Sequence, residues 1–416
     1  DVQALLDNTQ RMNGNAFTGG GVPALGEVSA DAYYLPYTVW NALPTIFRNA
    51  YRWNPVIFEG NTTTDWHTPY VGVFYANVAL EALEGLSAGA VADQGLWERL
   101  YASALFYRAN HFFHLAQVFA PPYREEAAAS AMGIPLRLSS DFNEPTVRSS
   151  LKQTYEQITS DLHTAYAMLP AQRDIVTRPS RQAAAGLLSR VYLTMGRYAD
   201  VIAAADSCLR YQAGLMDFNQ LDVTAALPFD RFNMEDIFHM RLIAATSLTN
   251  HLVDTSLYDS YDTNDLRRQA YFLRNAQGIR FKGSYIRSAS IYYAGIATDE
   301  VYLNRAEARA RLGKTAEALH DLNTLLEKRW LKAHFVPISG LDASGALAVI
   351  LQERRKELVF RGVRWMDLRR LESVHSGTLV RLLDGQRHEL PPGDNRYTIP
   401  IPDNIIQLTG IPQNIR

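Results

Sequence analysis

Glu353 and Glu357 stand one helical turn apart in a densely charged run, the spacing that places two carboxylates on one helix face as general acid/base work would require. Each has an Arg or Lys neighbour that keeps it ionised. The pattern Glu353, Arg354, Arg355, Glu357 therefore predicts ion pairing along an exposed helix, with Arg364, Asp367, Arg369 and Arg370 extending the network to neighbouring elements. His111 and His114 have the spacing of metal ligands on a helix, but no third ligand is evident and packed or capping roles are expected. Asp259, Asp262, Asn264 and Asp265 could gather a calcium ion, against the plainer expectation of a solvated acidic turn. Cys208 is the single cysteine, so no internal disulfide or cysteine zinc site can form, and its apolar run predicts a buried thiol. No phosphate loop, nucleophile elbow or HExxH motif occurs, and Gly19-Gly20-Gly21 reads as a turn. No catalytic residue, metal or cofactor is expected.

The elements that must hold these residues are mostly helical. Trp97–Phe119 carries Leu100, Ala104, Tyr107, Phe112, Leu115 and Phe119 at helical spacing and ends at Pro121-Pro122. Leu151–Leu169 repeats the pattern, and residues 120–150 between them read as a loop rich in Pro, Ser and Ala. Arg181–Met195 and Tyr198–Tyr211 flank Gly196-Arg197, with small residues that let antiparallel helices approach as in tetratricopeptide repeats. A second copy spans Glu300–Glu327 around Leu312-Gly313-Lys314, and the two earlier helices form a third with an inserted loop. A last helix covers Ala346–Phe360. Such pairs bury their apolar faces only by stacking. The expected fold is mostly α: a tetratricopeptide-like solenoid in one domain, residues 1–416, with its scaffold at about 67–211 and 299–370. A loop-rich lobe, about 17–66 and 212–298, completes it.

Composition narrows the partners. The 41 basic and 43 acidic residues nearly balance, which gives no electrostatic reason to expect nucleic acid. Tyr, Phe and Trp make up 11% of the chain, and many lie outside the helical patterns, as in sugar-binding surfaces or helix interfaces. No apolar run is long enough to span a bilayer. The chain opens at Asp1 without Met or a signal peptide, so a processed chain is expected, attached to a membrane only through a lipid anchor absent from it.

The C-terminal third carries a family resemblance. Glu353-Arg354-Arg355-Lys356-Glu357-Leu358, Phe360, Gly362, Arg364 and Asp367-Leu368-Arg369-Arg370 resemble the signature of the SusD/RagB family of outer-membrane nutrient-binding lipoproteins. Glu300-Val301-Tyr302-Leu303 with Ala306-Glu307-Ala308, then Ile399-Pro400-Ile401-Pro402 and Pro412-Gln413-Asn414, are similar to further motifs of that family. Trp66, Tyr70 and Asn77 fit its early helix, Gly133-Ile134-Pro135-Leu136 and Asp265-Leu266-Arg267 its intermediate motifs. Ala297 and Arg361 depart from the pattern and put its usual ion pairs in doubt; the chain is also short for the family, implying trimmed loops.

The resemblance implies non-catalytic capture of an oligosaccharide at the outer face of the outer membrane, for delivery to a SusC-type TonB-dependent transporter. Peptide capture is the rival within the family, and a helical glycoside hydrolase the rival of another class. Sugar recognition sets aromatic faces against pyranose rings, with Asn, Asp and Arg bonding the hydroxyls. Trp66 matches a structural position, whereas Trp53, with Asn54, Asn61 and Asp65 in a polar loop, is the first candidate cluster. Trp40 joins it, and Tyr285 and Tyr292 beside Arg287 form the second.

Overall fold

A computed structural model describes residues 2–14, 21–86, 93–171, 175–371 and 377–416, so Phe17, Gly19 and Gly20 lie outside the described residues. The architecture is mostly α. Thr64–Glu84 packs on Gln94–Phe119, which packs on Leu151–Met168, which packs in turn on Arg181–Met195. Tyr198–Tyr211 returns against Arg181–Met195 and carries Thr298–Arg311, with Thr315–Glu327 and Ala343–Glu357 beyond it. This is the stacked-hairpin solenoid that the helical periods require.

Local chemistry explains the ends. Asp93, Ser180 and Asp342 accept hydrogen bonds from the first backbone N–H groups of their helices. Ser150 and Gln153 form a reciprocal capping box ahead of Leu151–Met168. Gly196 ends Arg181–Met195 at φ 74°, in the left-handed region where a side chain is strained. The charged signature helix begins earlier than its apolar pattern suggests, at Ala343, because Asp342 caps it, and it is not the last: Arg364–Arg370 and Asp403–Thr409 follow.

Between the hairpins the chain makes five two-stranded antiparallel sheets among the described residues. Tyr33–Tyr34 pairs with Leu252–Val253, Asp236–Phe238 with Ile296–Ala297, and Phe272–Asn275 with Gly278–Phe281. The supposed loop lobe is therefore stitched into the interior. Leu379–Leu383 and Gln386–Leu390 form a hairpin whose turn, Asp384-Gly385, has φ of 50° and 74°. That hairpin sends Arg381 inward, its guanidinium 3.5 Å from the Tyr51 ring centroid and 4.6 Å from that of Trp53, donating to the Tyr51 and Ala30 carbonyls.

The charged signature is buried, which corrects the expectation of exposed pairs along one helix. Arg329 donates to Glu357 Oε1 at 2.7 Å and to both Glu235 oxygens at 2.9 and 3.0 Å. Arg267 binds Asp265, Glu353 and Glu357, and so welds an irregular segment to the helix. Asp265 is thus interior rather than part of a solvated turn. Arg354 holds Asp367, and Arg370 holds Glu307 at 2.6 Å, so this part of the network does tie the last helices to a neighbour. Arg361, the departure from the family pattern, meets Asp299 at 3.1 Å between the rings of Tyr285 and Tyr293.

His111 is sealed in the interior against Gly72, and burial pushes its imidazole down to about 4. A Cβ at residue 72 would lie 2.3 Å from His111 Nε2. Ala in place of a helical Gly normally stabilises by about 1 kcal/mol, but overpacking a filled core costs about 1–3 kcal/mol. Gly72→Ala is therefore expected to lower the melting temperature, as thermal unfolding would show; an increase would mean that the helices can part. Asp65 is buried with backbone N–H donors from Leu25, at 2.6 Å, and Ala24, and burial raises its carboxyl to about 7. Its folded form holds a proton that the unfolded chain releases near pH 4, so the stability this gives is present at low pH and lost as pH rises through 7. The melting temperature of Asp65→Asn should accordingly rise relative to wild type between pH 5 and 8. A pH-independent gap would refute the protonated carboxyl.

Candidate functional site

Trp66, Tyr70, Phe74 and Asn77 recur every three or four residues and so share one face of the Thr64–Glu84 helix. That stripe floors a groove of about 270 Å³. Its other walls are the loop from Pro135 to Thr146 and, from the helix Asp403–Thr409, Ile405 and Thr409. A second cavity of about 330 Å³ adjoins it, lined by Thr62, Thr63, Thr64, His67, Pro402 and Asn404. The two share Trp66 and Ile405 as lining residues.

The loop is hung on the helix by specific donors. Tyr70 O–H donates to the Pro135 carbonyl at 2.9 Å, and Asn77 Nδ2 donates to the carbonyls of Arg137 and Ser139 at 2.8 and 3.2 Å. Asn77 is itself oriented by Arg108, which donates to its Oδ1 at 3.1 Å while gripping Asp161 with two bonds. Ser140 N–H donates to Glu81 at 2.7 Å and the Ser140 hydroxyl to the same carboxylate, which holds Glu81 below its ordinary range. Arg137 closes the loop by donating to the Glu144 and Asp141 carbonyls. Asp141 accepts from Asn143 N–H at 2.8 Å, a turn that lifts Phe142 to the tip.

Phe142 is 80% exposed and stacks on Phe74, with centroids 5.0 Å apart and planes at 28°. A large apolar ring is thus held out in water by the hydrogen bonds of its own loop. The described lining of both cavities holds no Asp or Glu, so the paired carboxylates of a glycoside hydrolase are not assembled here.

The residues singled out from sequence go elsewhere. Trp53 is 2% exposed, donates its indole N–H to the Ser29 carbonyl at 2.9 Å and packs with Trp365, Leu368, Leu390 and Tyr397. It offers no face to a ligand, because the Arg381 hairpin covers it. Asp65 is interior, as described above. Tyr285 donates to Glu235 at 2.9 Å, and Tyr292 stacks on Phe360 and donates to the Leu248 carbonyl; both are buried because the central network and the core need them. Asn54 is half-buried and bonded to Asn49, Asn61 is exposed and donates to the Phe58 carbonyl, and Arg287 is exposed and paired with Asp230 at 2.6 Å. Trp40 is buried, its N–H donating to the Arg48 carbonyl, yet its ring neighbours Tyr37 at 5.7 Å. Tyr34 and Tyr37 nearby are each 40% exposed. Sequence reasoning missed Phe74 and Phe142; the available signal was a lone Phe inside Ser139-Ser140-Asp141-Phe142-Asn143, with no apolar period to carry it into a core.

Comparison with known proteins gives this geometry its context. A family model described as SusD-like, "starch-binding associating with outer membrane", matches residues 1–193, and the SusD family model matches residues 245–410. A SusD-like protein P2 of Formosa agariphila is 24% identical over 385 residues, which cover 76% of this chain and 72% of that one. Among solved structures, a SusD superfamily protein of Bacteroides thetaiotaomicron superposes with a TM-score of 0.77 at 23% identity, covering 100% of this chain and 99% of that one. One from Bacteroides fragilis reaches 0.79 at 22% identity, covering 98% and 97%. A laminarin-binding SusD-like protein reaches 0.70 at 20% identity, covering 99% and 97%. The signature matched from Glu300 to Asn414, the helical-repeat fold and the two family models that together span most of the chain converge on one conclusion: this protein belongs to the SusD/RagB family.

Proposed function

We propose that the protein captures an oligosaccharide at the outer face of the outer membrane and hands it to a SusC-type TonB-dependent transporter, without chemistry on the ligand. A lipid anchor preceding the described chain would hold it there. The observation that carries the reading is Phe142, an exposed ring braced on Phe74 at the mouth of a groove with polar walls. Pyranose rings present apolar C–H faces to such a ring, while Ser and Asn groups bond their hydroxyls. The absence of carboxylates from the described lining favours binding over hydrolysis. Peptide capture would use the same apolar wall, and the exposed rings of Tyr34 and Tyr37 are a second place on which a sugar could stack.

Isothermal titration against a panel of oligosaccharides and mixed peptides, with the mixtures checked afterwards for cleavage, tests this. Saturable heat with an intact sugar is expected. Phe142→Ala should weaken it by about 1–3 kcal/mol, roughly fivefold to 150-fold, with the melting temperature nearly unchanged because the ring is exposed. Loss in Tyr37→Ala but not in Phe142→Ala would move the site to those tyrosines. A response to peptides alone would replace the ligand class, and cleavage products would overturn the non-catalytic reading.

A further inference from the structure

We propose that Arg148 is a positioning residue of the groove: it clasps the wall bearing Phe142 to a hinged helix, Asp403–Thr409, on the other side. The binding role it serves rests on the capture reading above. The hinged helix is the first observation. Ile405 and Thr409, four residues apart, share one face and line the groove with Trp66, Tyr70 and Phe74. Leu408 is 79% exposed, and no residue of this helix is fully buried. Its ends are held instead. Gln413 Nε2 donates to the Ile401 carbonyl at 2.7 Å, and Ile401 N–H donates to Gln413 Oε1 at 2.8 Å. Ile401 and Ile411 are buried beside that neck. The chain between them is a closed flap that starts at Pro402 and turns at Gly410, whose φ is 70° with nothing within 4 Å of a Cβ position. Elements that bury so little open locally before a core does.

The second observation is what ties the flap down. Among the described residues, two hydrogen bonds join residues 402–412 to the protein outside residues 399–416. Gly60 N–H donates to Asp403 Oδ2 at 3.1 Å, and Arg148 Nη1 donates to the Pro412 carbonyl at 2.9 Å. Arg148 stands at the root of the Phe142 loop, in the strand Arg148–Ser150 that pairs with Met132–Pro135. Its Nε donates to the Gly133 carbonyl at 2.9 Å, and its Nη2 to the Met132 carbonyl at 3.1 Å and to Asn414 Oδ1 at 2.8 Å. Asn414 donates in turn to the carbonyls of Phe119 and Ile399, at 2.8 and 2.9 Å.

One guanidinium therefore grips the loop root, the tail of the flap and, through Asn414, the end of the Gln94–Phe119 helix. No carboxylate is among its hydrogen-bond partners, so its contribution is geometry rather than ion pairing. A rigid fork of five N–H groups can serve four acceptors at fixed angles, which an ammonium cannot. Phe142 and the Ile405–Thr409 face are thereby set at one separation before a ligand arrives.

The test combines hydrogen exchange of the whole chain, read by mass spectrometry, with titration against the oligosaccharide panel. In wild type the amides of Asp403–Gly410 should exchange faster than those of Thr64–Glu84. Arg148→Met, which keeps the apolar stem and removes the fork, should speed exchange in residues 403–411 and 138–144 by about tenfold and leave Thr64–Glu84 unchanged. It should weaken the sugar that wild type binds by about tenfold, yet cost less than about threefold more in the Phe142→Ala background, because the wall it positions no longer carries its ring. Asp403→Ala cuts the other tie and should speed exchange in residues 403–411 alone, which keeps the flap testable where Arg148→Met does not fold. Exchange in the flap as slow as in Thr64–Glu84 and unchanged in Asp403→Ala would overturn the hinged helix. Unchanged exchange in folded Arg148→Met would overturn the clasp. Faster exchange with unaltered sugar affinity, or a full tenfold loss repeated in the Phe142→Ala background, would overturn positioning through Phe142. A wild type that binds no sugar would instead sink the capture reading, while the exchange data would still decide the clasp.

Discussion

Glu357 has no exposure to water and no freedom to choose its partners. Arg329 and Arg267 both donate to it, the first reaching on to Glu235 and the second to Asp265 and Glu353. Removing one member of such a buried set strands the others and costs about 3–5 kcal/mol. Arg329 follows the helix Thr315–Glu327, Glu235 precedes a short strand, Arg267 opens a four-residue helix, and Glu357 ends the signature helix. Four segments with little regular structure between them are thereby fixed at one point. Asp265, Glu353, Glu357, Glu235 and Asp299 outnumber Arg267, Lys356, Arg329 and Arg361 by one. Burial raises both carboxyls on the Glu235–Asp299 side, Glu235 to about 7, and Tyr285 O–H lies 2.9 Å from Glu235 and 3.5 Å from Asp299. The tyrosine that the sequence offered as a sugar platform is thus committed to the electrostatics of the core.

The same economy explains why the irregular segments hold so few exposed rings. A chain that leaves its helices must satisfy its backbone groups and cover its apolar side chains by other means. Here short strand pairs do the first, and Tyr33, Tyr51, Trp53 and Tyr292 do the second, several of them around Arg381 and Phe360. Arg381 is buried without a carboxylate among its hydrogen-bond partners, its charge spread over aromatic faces and backbone carbonyls. Aromatic content alone therefore does not mark a binding lobe. Exposure marks it, and exposure is decided by segments far away in sequence.

What was legible followed from local physics. Helical period, Ser and Asp caps, Gly196 and the Leu312-Gly313-Lys314 turn are each read within a few residues, and they gave the solenoid. The signature around Glu353 was legible as ion pairing, but its partners, Arg267 and Arg329, lie outside the helical period and could not be assigned. Trp53 and Phe142 show the limit most sharply. Both are lone aromatics in polar loops; one is capped by a hairpin more than three hundred positions on, and the other is lifted away by its own Asx turn. Only the second had a local cause that a reader of the sequence could weigh.

That difference bears on how a binding surface is built on this scaffold. The helix stripe Trp66, Tyr70, Phe74, Asn77 serves two ends: its first rings bury against Phe119 and the loop, while its later ones open into the groove. Because Asn77 is pinned by Arg108 and Arg108 by Asp161, the wall of the groove inherits the rigidity of three packed helices rather than the mobility of a free loop. A wall ordered in advance loses little entropy on meeting any ligand. The solenoid's contribution to function is then mechanical. It converts helix packing into a fixed placement of the Phe142 loop over the Thr64–Glu84 helix.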